Sequence, residues 1–299
     1  MKELVLLGPT ASGKTSLAVK LAHAYNAVIL SLDSLSIYRY IDIASAKPTK
    51  EEREGILHFG IDVIDPDEVF NVTLFFDLYQ EAKTYASTHH KNLIIVGGTS
   101  FYLKAMLSGL SDKPRVSEEN LAKIQRTLRD MENAYETIQT FDPEYAAKIA
   151  SNDTYRMEKW YEIYYETGDI PSAFLKRTLR DPIIKEIPIF EIETPREILR
   201  KRIVLRTEHM LQQGLINEIV HLERRYGREP NCMKAIGIKE VLAYLDGIYD
   251  LTLMKEKIIT NTARLAKRQR TFNKTQFTHP IIKKPLEEMF ETASKVFTF

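Results

Sequence analysis

The chain has 299 residues, 44% of them hydrophobic, and carries 42 Lys and Arg against 41 Asp and Glu for a formal net charge of +1. That is the length of two domains, or of one domain with a large insert, and the composition is that of an ordinary globular protein. One cysteine, Cys232, excludes an intramolecular disulfide and a cysteine-based zinc finger, and no apolar run is long enough to cross a membrane.

Leu4 to Leu7 is an apolar run that predicts a buried strand. It leads straight into GPTASGKT, residues Gly8 to Thr15, the phosphate-loop pattern of a glycine, four residues and then Gly-Lys-Thr. Ser16 to Tyr25 follows with the spacing of a helix packed by Leu17, Val19 and Leu21. Strand, loop and helix N-terminus together make an anion cradle, because backbone N–H groups converge there and the helix dipole adds positive potential. Lys14 is placed for terminal phosphates and the Thr15 hydroxyl for Mg2+. An apolar run this short, merging with the loop, predicts no signal peptide, and the expected location is cytoplasmic.

Ala27 to Ser31 predicts a second strand, ending at Asp33-Ser34, and Lys91 to Val96 a third, ending at Gly97-Gly98-Thr99. A helix is expected from Phe101 to Leu107. Strands alternating with helices imply a mainly parallel sheet, whose ligands sit beyond the C-terminal strand ends. Three polar clusters therefore converge on one crevice. Asp33 and Thr99 are also each placed to cap a following helix.

From about Arg115 to Thr178 the composition turns charged, tyrosine-rich and helical, without strand signal. Ile187 to Glu191 reads as a returning strand, and from Pro195 onward the pattern is helical. The expected organisation is an α/β core of the phosphate-loop NTPase type with a parallel sheet, residues 1–114 and 185–299, a helical insert over 115–184 and a helical C-terminal region. Tyr155, Trp160, Tyr161, Tyr164 and Tyr165 stand at helical spacing, which fits core positions better than base-stacking platforms for most of them. His58 reads as a structural histidine. Near the C-terminus, Thr262 to Lys274 (TARLAKRQRTFNK) carries Arg264, Lys267, Arg268, Arg270 and Lys274 with no acidic residue between them. Such density suits phosphate contacts, and a solvated helix face is the plainer alternative.

The phosphate loop alone fits a small-molecule kinase as well as a non-kinase transferase. Kinases on this core place an aspartate at a neighbouring strand end to hold magnesium. Here the strand LIIV ends in Gly-Gly-Thr, and Asp33 is the available substitute. A non-enzymatic RNA-binding module with a relic nucleotide site is the third reading.

The combination of blocks is more specific than the loop. GPTASGKT, DSLSIYRYIDIASAKPT (Asp33 to Thr49), HFGIDVIDPDEVFNVTLF (His58 to Phe75) and VGGTSFYLKAMLSGL (Val96 to Leu110) resemble the tRNA dimethylallyltransferase family of bacterial type. The resemblance continues in order through NDTYRMEKWYEIYYETG, RTEHMLQQGLINEI, KAIGIKEVLAYLDG and TARLAKRQRTFNK, and spans nearly the whole chain. It implies transfer of a dimethylallyl group from dimethylallyl diphosphate to the exocyclic N6 amine of the adenosine 3′-adjacent to the tRNA anticodon. The phosphate loop then holds a leaving diphosphate.

Carried over by position, the resemblance implies that Asp33 is the general base and Thr99 a hydroxyl beside the reacting centre. Gly8, Pro9, Thr10, Ala11, Ser12, Gly13, Lys14, Thr15 and Arg206 would hold the diphosphate, with Thr15 also a ligand of Mg2+. The tRNA anticodon stem-loop would meet Asp33, Ser34, Leu35, Ser36, Thr99, Arg115, Tyr155, Arg156, Lys159, Lys234, Lys239, Lys267, Arg268, Arg270 and Lys274. A monomer without membrane association is expected. The chain departs from the family's pattern at Ser36, where glutamine is common, and at Lys159, Lys234 and Lys239, where arginine is usual. Trp160 and Tyr161 stand in place of smaller residues. Serine is shorter than glutamine, and lysine keeps the charge of arginine but loses its planar fork.

Overall fold

The computed structural model describes residues 1–298 and divides the chain into two compact units, Met1–Lys104 with the chain from Ile184 onward, and Ala105–Ile183. The change of composition at Arg115 therefore falls inside the second unit.

In the first unit, β1 (Glu3–Leu7) runs through the loop into α1 (Lys14–Ala24), followed by β2 (Ala27–Leu32), the two-residue β3 (His58–Phe59), α2 (Val72–Thr88) and β4 (Asn92–Gly97), and the division between the units falls within the next helix, α3 (Ser100–Ser108). The second unit is helical: α4 (Glu118–Thr127), α5 (Met131–Phe141), α6 (Pro143–Ala146), α7 (Thr154–Thr167) and α8 (Pro171–Arg177). The chain then returns to the first unit with β5 (Ile189–Glu193), α9 (Arg196–Gln212), α10 (Leu215–Tyr226), a 3-10 turn at Asn231–Lys234, α11 (Ile238–Leu245), α12 (Leu251–Gln276), β6 (Ile281–Pro285) and α13 (Leu286–Thr298).

The six strands form one parallel sheet in the order β3-β2-β4-β1-β5-β6. Leu4, Val5, Leu6 and Leu7 are all fully buried, and Leu93 to Ile95 likewise. Burial on both faces is what parallel strands require, and it explains why these segments read as continuous apolar runs. On one face Leu17 and Leu21 of α1 and Met289 of α13 pack onto Leu4, Leu6, Ile29, Ile94 and Phe190. Separately, α9 and α12 meet through Leu199, Ile203 and Ala266, with Ala11 of the phosphate loop against that cluster.

The sequence expectation of helix throughout the C-terminal region is corrected at β6. This strand pairs in register with β5, Ile189 opposite Ile281 and Glu193 opposite Pro285. It lies at the sheet edge and is only partly buried, so it needs no apolar run. Two lysines and a terminal proline suit an edge strand and hide it from a periodicity reading. The returning strand also sits later than expected, ending at Glu193.

The second unit has its own core of Ile124, Ala134, Ile138, Met157, Trp160 and Tyr161. Four of its five helices begin at side-chain caps, Ser117 for α4, Asp130 for α5, Asp142 for α6 and Asp153 for α7, each worth about 1 kcal/mol. The indole N–H of Trp160 donates to Asp142 Oδ2 at 3.0 Å, and the Tyr161 hydroxyl to the Ala134 carbonyl at 2.9 Å. These two aromatics are core, as helical spacing suggested, whereas Tyr155 is 68% exposed.

Glycine is required where β4 leaves the sheet. A Cβ on Gly97 would fall onto the Leu32 carbonyl oxygen of β2. Gly97→Ala should therefore lower stability by about 2–3 kcal/mol, since the neighbour is backbone and cannot swing away. Thermal or denaturant unfolding of the variant checks this, with no change expected in the far-ultraviolet spectrum at low temperature.

Candidate active site

A crevice of about 570 Å³ opens at the C-terminal ends of the strands. Thr10, Lys14 and Thr15 follow β1, Asp33 to Ser36 follow β2, and Gly97 ends β4 with Gly98 to Phe101 after it. Arg206 of α9, Lys234 to Gly237 and Lys239, and Arg268, Gln269 and Phe272 of α12 complete the wall.

The phosphate loop turns tightly around Gly8, whose Cβ would stand 2.5 Å from Ser12 Oγ. The Pro9 carbonyl accepts from the Ser12 amide at 3.2 Å. Ala11 at φ 64° and Gly13 at φ 90° are both left-handed, and such alternation turns successive N–H groups inward into an anion nest. Ser12 is fully buried, and its hydroxyl has no hydrogen-bond partner among the described residues.

Lys14 Nζ lies 3.4 Å from the Pro9 carbonyl. Burial pushes its ammonium down to about 8, with Arg206 adding to the shift and Asp33 opposing it. Burial likewise lowers the Arg206 guanidinium, and Asp33 opposes this too. Asp33 thus stands near both cations, with Glu52 also acting on Arg206, and their charge remains poorly solvated, an arrangement that an anionic ligand would stabilise.

Asp33 does not cap a helix, because none follows it directly. Its Oδ1 accepts from the amides of Leu35 at 2.8 Å and Ser36 at 3.2 Å, holding a turn. Oδ2 makes no hydrogen bond among the described residues. Thr99 also caps nothing with its side chain. Its Oγ1 accepts from the Ser34 amide at 3.3 Å, tying the ends of β2 and β4 together. Ser36 is 4% exposed and lines the crevice wall. His58 Nδ1 is 2.8 Å from the Ile56 carbonyl, and burial lowers the pKa of its ring, which favours the neutral form.

Two residues of the site escape a reading of the sequence. Gln269 Oε1 accepts from the Thr10 amide at 3.2 Å, and its Nε2 sits where a Cβ on Gly98 would stand. Arg202 points Nη1 at the carbonyls of Ser12 and Ala11, at 3.3 and 3.5 Å. Both lie 190 or more residues from the loop groups they meet, and only their place inside the basic stretch or on the arginine-bearing α9 hints at them.

The basic stretch lies within α12 and presents two faces. Arg268 lines the crevice, whereas Arg270 and Lys274 line a separate cavity with Arg202 and Lys283. Arg264 and Lys267 are exposed. Arg115, Tyr155, Arg156 and Lys159 all belong to the helical unit. There Arg156 pairs with Asp153 at 2.9 Å, and Lys159 lies 5.3 Å from the Tyr155 ring centre.

No group of three or more His, Cys, Asp or Glu side chains converges among the described residues. The Thr15 hydroxyl beside the loop fits a magnesium ion taken up chiefly by substrate oxygens, which is how that ion is commonly held. No described helix is long and apolar enough to cross a membrane.

A parallel sheet, a phosphate loop at its central strand and an anion-seeking crevice define a phosphate-loop protein. A family model described as IPP transferase matches residues 36–276. The tRNA dimethylallyltransferase of Sulfurovum sp. (strain NBC37-1) is 56% identical over 290 residues, covering 97% of this chain and 96% of its own. The crystal structure of the full-length tRNA isopentenylpyrophosphate transferase from Bacillus halodurans superposes with a TM-score of 0.72 at 29% identity, over 99% of this chain and 96% of the other. A eukaryotic dimethylallyltransferase solved acting on tRNA gives 0.79 at 26% identity, over 99% and 77%. The chain belongs to the IPP transferase family.

The lowered pKa of Lys14 predicts a proton count. Free protein loses the Lys14 charge as pH rises through about 8, and bound diphosphate, being anionic, raises that pKa again. Diphosphate binding near pH 8 should therefore take up protons at Lys14, and affinity should weaken as pH rises further. Calorimetry in buffers of different ionisation enthalpy measures the uptake, which Lys14→Met should abolish.

Proposed function

We infer that this chain transfers the dimethylallyl group of dimethylallyl diphosphate to the N6 amine of adenosine 37 in tRNA, giving N6-isopentenyladenosine and free diphosphate. The observation that carries the reading is the meeting of the phosphate loop with Asp33 and Thr99 at one end of the sheet. Its relatives bear the name of this activity.

The proposed chemistry follows from the crevice. Loop amides, Lys14 and Arg206 receive the diphosphate, and their charge favours departure of its bridging oxygen with the electrons of the allylic C–O bond. The N6 lone pair forms the new C–N bond. That nitrogen is a weak nucleophile, because its lone pair is delocalised into the ring. The N6 proton passes to Asp33 Oδ2, the oxygen that the Leu35 and Ser36 amides leave free. Since Thr99 Oγ1 accepts from Ser34, its own O–H remains to donate toward the base. Mg2+, held by Thr15 and the diphosphate oxygens, would neutralise charge on the leaving group.

The target adenosine reaches a carboxylate inside a crevice only when it is turned out of the anticodon-loop stack, which costs a few kcal/mol. Contacts to tRNA elsewhere must supply that energy. Arg268 with Lys234 and Lys239 at the crevice, Lys267, Arg270 and Lys274 along α12, and Arg115, Tyr155, Arg156 and Lys159 on the helical unit are the proposed contacts.

Asp33→Ala should cut turnover about 10²- to 10⁴-fold while the protein still binds diphosphate. Single-turnover transfer of labelled dimethylallyl to tRNA, beside diphosphate titration, reads both quantities. Near-normal turnover would leave Asp33 only its turn-holding role. Replacing Lys267 and Arg268 together by Ala should weaken tRNA binding. It should also lower the slope of log K against log salt by about one for each phosphate that is no longer neutralised. An unchanged slope would shift the grip to the helical unit.

A further inference from the structure

Outside the phosphate loop the protein builds a second cradle of consecutive backbone N–H groups, and it fills that cradle itself. The amides of Asp42, Ile43 and Ala44 all donate to the carboxylate of Glu218 on α10, at 2.9, 2.7 and 2.9 Å. Three successive amides on one anion make a nest, the same physical device that receives phosphate elsewhere in this fold. A carboxylate so held is a strong acceptor, and charge-assisted bonds of this kind are about twice as strong as neutral ones.

The cradle lies in the stretch that follows Asp33. On its other side Lys47, buried, donates to the Tyr38 carbonyl at 2.9 Å and to Asp42 Oδ1 and Asp62 Oδ1 at 2.6 Å each. The stretch is thus staked at both ends, and between the stakes it presents Ala44 and Ser45 to the crevice. The Ser45 carbonyl in turn accepts from the Arg206 guanidinium at 3.4 Å. Arg206 on α9 and Glu218 on α10 stand on consecutive helices and grip the same short backbone segment.

We propose that Glu218 is a positioning residue for the diphosphate, an internal anion that fills the Asp42–Ala44 nest and thereby holds the Ser45 carbonyl where it orients Arg206 in the crevice. Without the carboxylate, three amides lose their acceptor, the segment loosens, and Arg206 loses its fixed partner. This rests on the reading of the crevice as a diphosphate site, so the test measures binding of inorganic diphosphate by calorimetry and does not depend on prenyl transfer.

Glu218→Ala should weaken diphosphate binding about tenfold. Formate, which fits an emptied nest, should restore most of that loss, whereas chloride at equal ionic strength should not. In an Arg206→Ala background, Glu218→Ala should cost nothing further, because Arg206 carries its effect. Glu218→Gln keeps the volume and one acceptor oxygen and should fall between wild type and Ala, which covers the case of an unfolded Ala variant. Wild-type affinity in a folded Ala or in the Gln variant overturns the proposal. So does a loss that adds in full to that of Arg206→Ala, which a purely structural support would give. Wild-type protein that binds no diphosphate overturns it together with the reading of the crevice. Diphosphate binding without prenyl transfer overturns the activity alone.

Discussion

Backbone must approach backbone where β4 leaves the sheet, and the site depends on that closeness. Gly97 lies beneath the Leu32 carbonyl, and Gly98 lies against Gln269 with the Gly8 carbonyl 3.4 Å from where its Cβ would stand. No side chain fits between these elements. The ends of β1, β2 and β4 and the middle of α12 are therefore drawn to one point. Thr99 and Ser34 complete the tie at 3.3 Å. Because the sheet is parallel, all these ends face the same way, and their unpaired N–H groups and short polar side chains line one crevice.

Among the described residues, the charged side chains lining that crevice are five cations, Lys14, Arg206, Lys234, Lys239 and Arg268, against the single carboxylate of Asp33. Lys14 and Arg206 both have pKa values lowered by burial, with Asp33 the carboxylate that opposes the shift in each. In contrast, the nest at Asp42–Ala44 is satisfied internally by Glu218. The phosphate loop reaches its turn through left-handed residues at Ala11 and Gly13, whereas Asp42–Ala44 has none. Asp33 holds its own turn through Oδ1, and Oδ2, left free by those amides, is the oxygen proposed to take the N6 proton.

The long helix α12 connects the phosphate loop to a basic surface. Gln269 ties it to the Thr10 amide of the loop, and Ala266 packs it onto α9, the helix that carries Arg206. The same helix exposes Lys267 and Arg268. An RNA backbone gripping those residues would press on an element that already touches the phosphate loop. This gives a direct mechanical connection between the proposed tRNA contacts and the phosphate loop.

Several features are legible in the chain itself. Continuous apolar runs mark β1, β2 and β4, because parallel strands are buried on both faces. The glycine and lysine spacing marks the anion cradle, and the helical spacing of Trp160 and Tyr161 marks a core. The block order from Gly8 to Lys274 points to the family. These signals are local: each is written in neighbouring residues whose side chains or backbone angles decide the outcome together. Tertiary structure decides the rest. β6 is half-buried at an edge, so its lysines give no strand period. Gln269, Arg202 and Glu218 reach backbone groups 174 or more residues distant, and a hydrogen bond to a main-chain amide or carbonyl leaves no mark on the identity of its partner. The basic stretch reads as one surface, yet helical rotation sends Arg268 to the crevice and Arg270 and Lys274 to a different cavity. Residue type alone carries no direction; the packing of α12 against α9 supplies it.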